Sequence, residues 1–224
     1  MIEADDTGDP KLEAIAQLLR NRFGSPDRTL VVGCGDGTEA AALAERMLAS
    51  VVGIDIVDAF HVSAIDRVEL RVADAMELPF DDASFDLVFS FHVLEHVSVP
   101  SRAIAEMRRV VRPTGGFWLG TPNRSRLVGY IGGRGASRRE KIAWNVVNWR
   151  ARLTGRFRNE LGAHAGFTRG ELRDMLRTSF GVAEDESSAY YALLHRRHKL
   201  ALALIDHSGL ARFVYPSIYF AGRP

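Results

Sequence analysis

Three glycines at alternate positions, Gly33, Gly35 and Gly37, close an apolar run that begins at Thr29, and a helix-prone segment over 38–46 follows. Glycines so placed let free backbone N–H groups at a helix start face a polar ligand. About twenty residues further on, a second apolar run over 51–55 ends in Asp55, from where a carboxylate can accept both hydroxyls of a ribose. A third run, 68–72, leads into Ala73, Asp74 and Ala75. A carboxylate at that strand end can accept from the exocyclic amine of adenine. After a fourth run, 84–90, come His92, Glu95 and His96 at i, i+3 and i+4. On a helix these three share one face, and two imidazoles beside a carboxylate suit proton transfer or a metal. His164 is a further candidate base, in a loop that can fold over a ligand.

The elements that must carry these residues alternate. An amphipathic helix over 11–23, with Leu12, Ile15, Leu19 and Phe23 at helical spacing, precedes the first strand and caps the pocket or packs on the sheet. Strands and helices then alternate through a helix over 100–111 and a strand over 116–121, the order of a parallel α/β sheet. Thr168 and Glu171 have the spacing of a capping box and open a helix through Leu172, Leu176 and Phe180. Strands over 182–186 and 216–221 complete the sheet, and the basic-then-apolar tail from His195 to Ile205 is read as a packed helix.

The elements Val32-Gly33-Cys34-Gly35-Asp36-Gly37, Gly53-Ile54-Asp55, Ala73-Asp74-Ala75 with Leu78-Pro79-Phe80, Ser84-Phe85-Asp86-Leu87-Val88, Leu94-Glu95-His96-Val97 and Val111-Arg112-Pro113-Thr114-Gly115-Gly116 together resemble the class I S-adenosylmethionine-dependent methyltransferases. The likeness is to the small-molecule group that includes ubiquinone-biosynthesis O-methyltransferases. It is dense over 28–123 and thins to a segment at 164–172. It implies a Rossmann-like α/β fold with a seven-stranded, mostly parallel sheet, helices on both faces and a last strand that is antiparallel. It also implies S-adenosylmethionine as cofactor, bound by Gly33, Cys34, Gly35, Gly37, Asp55, Ile56, Asp74, Ala75, Ser90 and Phe91. His96, His164 and His92 are the catalytic candidates, for a small-molecule hydroxyl acceptor. In ubiquinone-type relatives carboxylates and a histidine on the face holding His92, Glu95 and His96 can bind a divalent metal; no metal is assigned here. One position departs from the family: Val31 stands where an acid is usual, two residues before the first glycine. A nicotinamide-binding Rossmann domain is the competing reading of the turn, but its third glycine or alanine is replaced by Thr38. An RNA or other macromolecular methyltransferase and a non-catalytic binding module are the alternatives in function.

The chain reads as one domain over 1–224, with 46% hydrophobic and 25% charged residues. Its lone cysteine, Cys34, permits no intrachain disulfide and suits a reducing cytoplasm, where it is a small residue beside the cofactor. The amino terminus is acidic (Glu3, Asp5, Asp6, Asp9) rather than a basic-apolar leader. The most unusual segment is the insertion over 124–163. From Arg124 to Arg158 it carries Arg124, Arg126, Arg134, Arg138, Arg139, Lys141, Arg150, Arg152, Arg156 and Arg158 against the single acid Glu140, in a chain of net charge +1. Ile142, Val146, Trp149 and Leu153 fall within about 60° on a helical wheel. Such a helix packs on the domain as a lid with its arginines solvated, lies, through 138–158, on an anionic membrane at the inner face of the cell, or meets a phosphorylated or otherwise acidic substrate. Only Trp144, Trp149 and Phe157 interleave with the basic residues, which argues against nucleic acid.

Overall fold

The computed structural model describes residues 9–61, 66–130, 137–159 and 164–224. The strands β1 (Arg28–Val32), β2 (Ser50–Asp55), β3 (Val68–Val72), β4 (Phe85–Phe91), β5 (Val111–Pro122), β6 (Glu184–Asp185) and β7 (Ser217–Gly222) form one sheet in the order β3-β2-β1-β4-β5-β7-β6. The first five strands run parallel, and β7 lies antiparallel between β5 and β6. The expected seven-stranded sheet is therefore present; its edge strand β6 is shorter than the run over 182–186.

Alternation along the strands divides the core between two faces, because successive side chains point to opposite sides. Leu30, Val32, Val88, Phe117 and Leu119 join Ile104 and Met107 of α3 (Pro100–Val110) and Leu172, Leu176 and Phe180 of α5 (Arg169–Phe180). Val31, Leu87, Phe89 and Trp118 join Ile15 and Leu19 of α1 (Pro10–Phe23), Leu43 of α2 (Thr38–Met47) and Tyr190 of α6 (Ser187–Leu194). Helix ends follow from sequence. Asp9 accepts from Lys11 N before Pro10 opens α1, and the Thr168–Glu171 capping box opens α5. Each capped start offsets backbone donors that would otherwise lack partners.

Two expectations change. In the insertion, α4 (Arg138–Leu153) opens on a Ser137–Glu140 capping box, but it packs through Asn145 and Asn148, not through the apolar stripe. Asn145 exchanges hydrogen bonds with Gly129 N and O, fixing that orientation at 2.7 and 3.1 Å. Ile142, Trp149 and Leu153 are left exposed and Val146 is half-buried, so most of the stripe faces away from the domain. The tail forms α7 (Lys199–His207) and α8 (Ala211–Val214), and α7 buries none of its residues fully. Leu202 and Ile205 lean on the core, whereas Leu200 and Leu204 face outward, so the packed-helix reading holds for one side only. Arg134 and the acidic residues Glu3, Asp5 and Asp6 lie outside the described residues.

Candidate functional site

The carboxyl ends of β1 to β5 meet where the strand order reverses between β1 and β4, the crevice in which open α/β sheets bind ligands. From β1 the chain turns through Gly33, Gly35 and Gly37 at φ +74°, +55° and +92°. A left-handed backbone of this kind favours glycine. Gly33 N and Cys34 N both donate to Ile54 O, at 2.8 and 2.9 Å, which ties the loop to β2. The glycines differ in what surrounds them. A Cβ on Gly33 would lie 2.1 Å from Val93 Cγ2, whereas one on Gly35 would meet no atom within 4 Å. Gly33 is thus required by packing, and Gly35 opens onto free space at the crevice.

Asp55 sits at the end of β2 with Oδ2 accepting from Gly35 N at 2.9 Å and Oδ1 accepting from Val57 N at 3.1 Å. Two accepted bonds leave lone pairs available to a ligand hydroxyl. Ile56, beside it, is exposed. At the end of β3, Asp74 Oδ1 accepts from Met76 N at 2.8 Å, holding the turn that contains Ala75. Ser90, at the end of β4, is buried with an Oγ that has no hydrogen-bond partner among the described residues. Phe91 is half-buried and stacks on Tyr219. A glycine loop open at Gly35, a carboxylate bonded to it, a second carboxylate one strand away and an orphaned hydroxyl suit an adenosine-containing cofactor. Cys34 is buried, and burial followed by Asp55 pushes its thiol up to about 12, so it is inert as a nucleophile. Val31 is fully buried in the core and offers a ligand nothing polar. A carboxylate with no signal in the glycine motif stands nearby. Glu39, in the first turn of α2, is pushed up to about 7 by burial and then by Asp36 and Asp9.

The histidines do not group as their spacing suggests. Leu94–His96 is a single 3-10 turn, and His92 takes φ +57° before it, so His92, Glu95 and His96 share no helical face. His92 turns away, its Nε2 2.9 Å from Ser217 Oγ, and burial lowers it to about 3, keeping it neutral. Glu95 is buried under Thr121, whose Oγ1 donates to it at 3.2 Å, and burial raises it to about 7. Among the described residues no group of three or more His, Cys, Asp or Glu is placed to hold a metal.

His96 instead meets His164, ring centroids 4.7 Å apart and edge to face. Burial and then the His164 charge lower the His96 pKa, so its imidazole is neutral at pH 7. The loop bearing His164 is stitched to the end of β5. Phe167 N donates to Pro122 O, Arg124 N donates to Phe167 O, and a Cβ on Gly166 would fall 1.8 Å from Pro122 O. Sequence spacing treats Arg126 as one more surface cation, yet it is buried and donates to Asn123 O and Ala165 O at 2.8 and 3.0 Å and to His164 O at 3.1 Å. Arg152 then donates to Arg126 O at 2.7 Å while lying over the Phe157 ring at 4.0 Å. Only the length of an arginine inside a loop-rich segment hinted at this clamp.

Comparison with known proteins agrees with this geometry. Residues 30–119 match the family model described as a methyltransferase domain. The chain is 38% identical over 117 residues to the 27-O-demethylrifamycin SV methyltransferase of Amycolatopsis mediterranei, covering 48% of this chain and 42% of that protein. It is 31% identical over 190 residues to a malonyl-[acyl-carrier protein] O-methyltransferase of Geobacter sulfurreducens, covering 80% of this chain and 66% of the relative. An S-adenosylmethionine-dependent methyltransferase structure from Mesorhizobium loti shares the fold at TM-score 0.60 and 17% identity, over 97% of this chain and 99% of that one. The chain spans less than half the length of the first of these relatives.

Proposed function

From the premise that the chain belongs to the class I S-adenosylmethionine-dependent methyltransferases, we propose that it transfers a methyl group to a hydroxyl or carboxyl oxygen of a small-molecule acceptor. The observation that carries the oxygen assignment is the His96–His164 pair, held where the turn after β4 meets the segment stitched to the end of β5. Bound S-adenosylmethionine supplies a methyl group that is already activated, so the protein has mainly to orient the acceptor and exclude water. An alcohol or phenol must also lose its proton, and a neutral imidazole near pH 7 is suited to take it.

The residues divide the work. Gly35 and Asp55 hold the ribose side, Asp74 and Ala75 the adenine side, and Ser90 offers its unpartnered hydroxyl. Glu39 provides the carboxylate for the cofactor's amino group that Val31 cannot. His96 is the base, and His164 adjusts its proton affinity and closes over the acceptor. His92 is a structural residue, since its ring is neutral and engaged with Ser217. Two of the relatives are named for methylation at oxygen, which supports the same acceptor atom.

The test is a methyl-transfer screen over hydroxylated quinones, phenols, sugars and carboxylic acids, repeated with His96→Gln. Loss of a general base lowers kcat by about 10²- to 10⁴-fold. The expected result is such a loss with cofactor affinity retained. Transfer only to amines, indifferent to His96→Gln, overturns the oxygen assignment.

A further inference from the structure

The outward side of α4 is unusual for a surface helix, because large apolar side chains stand out of it beside arginines that pair with no acid among the described residues. Ile142 is 65% exposed and Leu153 89%, and Trp149 is half-exposed with its Nε1 donating to Leu127 O at 2.7 Å. Leu127, itself exposed, donates through its N to Phe213 O of α8 at 2.8 Å. Through Tyr215, whose hydroxyl donates to Asp206 Oδ1 of α7 at 2.9 Å, the same path reaches Leu200, 85% exposed. Two helices from distant parts of the sequence, both basic at one end and apolar outward, are thereby joined.

The charge on this side is unbalanced. On other faces several arginines find acids: Arg109 bonds Glu106 and Asp82, Arg22 bonds Glu184 and Glu186, and Arg20 bonds Glu13. On α4, Arg139 and Arg150 are exposed, and no carboxylate among the described residues pairs with either. Arg197 and Lys199 at the start of α7 are likewise exposed and basic. Unpaired cations flanking protruding aliphatics and a hydrogen-bonded tryptophan are complementary to anionic headgroups over an acyl layer. RNA would use the cations but leave the aliphatics in water. No described helix is long and apolar enough to cross a membrane.

We propose that α4, the turn at Leu127 and α7 form one face by which the protein lies on an anionic lipid bilayer. The placement has a use. Arg152 of α4 bonds Arg126, which bonds His164 O, so the docking helix is physically continuous with the acceptor side of the site. A lipid-like acceptor would then be drawn from the surface on which the enzyme rests. The docking goes beyond the methyl-transfer reading and fails or stands independently of it, whereas the lipid-like acceptor rests on that reading.

The experiment is sedimentation of the full chain with phosphatidylglycerol-rich vesicles and with pure phosphatidylcholine vesicles, at low and high salt, in parallel with its molar mass and its S-adenosylmethionine affinity. The proposal requires binding to the anionic vesicles at least about tenfold stronger than to the neutral ones, weakened by salt. Arg139→Gln with Arg150→Gln should weaken it by about fivefold per arginine. Leu153→Ser with Leu200→Ser should weaken it by about tenfold or more, with cofactor affinity and circular dichroism unchanged. No binding, equal binding to both vesicle types, or binding indifferent to the leucine pair overturns it. So does a dimer that the leucine pair dissociates, since a second copy would then cover the face, or RNA binding that only the arginine pair abolishes.

Discussion

Replacing Gly33 and Gly35 by alanine should separate packing from ligand binding within one loop. Both glycines adopt positive φ, +74° and +55°, so either alanine incurs about 1–2 kcal/mol of backbone strain. At Gly33 the new methyl also meets Val93, with Cγ2 at 2.1 Å and Cγ1 at 2.9 Å. Overpacking of this kind costs typically about 1–3 kcal/mol, giving a total of about 2–5 kcal/mol. Gly35→Ala has only the strain, about 1–2 kcal/mol, because nothing lies within 4 Å of its Cβ. The space it fills is where the cofactor must approach, so its cost appears in S-adenosylmethionine affinity, a loss of about tenfold or more. Urea unfolding measures the first quantity and calorimetric titration the second. Val93→Ala added to Gly33→Ala should recover about 1–3 kcal/mol as a favourable coupling in a double-mutant cycle, leaving the strain behind. Gly35→Ala as the more destabilising change, or Gly35→Ala with undiminished cofactor affinity, would refute the reasoning.

Glu39→Gln should trade stability against binding. Burial keeps Glu39 protonated up to about pH 7, so the folded state holds a proton that the unfolded state releases near 4.5, and stability is lost as pH rises through that window. The variant should be more stable at pH 8, by up to about 3 kcal/mol, with little change at pH 5, while its cofactor affinity falls about tenfold. Denaturant melts across pH test the first part, and a pH-independent difference contradicts it. Arg126→Met should destabilise the protein by about 2–4 kcal/mol, since three carbonyls lose a charged donor. Amide exchange over 164–167 should accelerate more than exchange in β1. Arg126→Lys should rescue little, because a point cation cannot fork to three oxygens.

The sheet was legible because its strands are long apolar runs bounded by turn residues, and because Thr168 with Glu171 marks a helix start by a local hydrogen-bond pattern. The cofactor side was legible for a similar reason: Gly33, Gly35, Asp55 and Asp74 sit at strand ends, where chain position fixes spatial position. The acceptor side was not. The i, i+3, i+4 spacing of His92, Glu95 and His96 implies a shared face only on an α-helix, and a 3-10 turn after a positive φ at His92 disperses it. The meeting of His96 with His164 depends on Gly166 pressing against Pro122, a contact between segments distant in sequence. Arg126 was hidden among surface arginines because composition does not distinguish a buried guanidinium bonded to carbonyls from a solvated one. The wheel of α4 gave its apolar stripe correctly but not which side faces the domain, which Asn145 and Asn148 decide.

The most direct test of the central claim is calorimetric titration of the protein and of Asp55→Ala with S-adenosylmethionine and S-adenosylhomocysteine, with NADH as control. The account predicts micromolar binding of the first two, none of NADH, and loss of both in Asp55→Ala with circular dichroism retained. Binding of NADH instead, or a folded Asp55→Ala that binds S-adenosylmethionine as tightly as the parent, would contradict it.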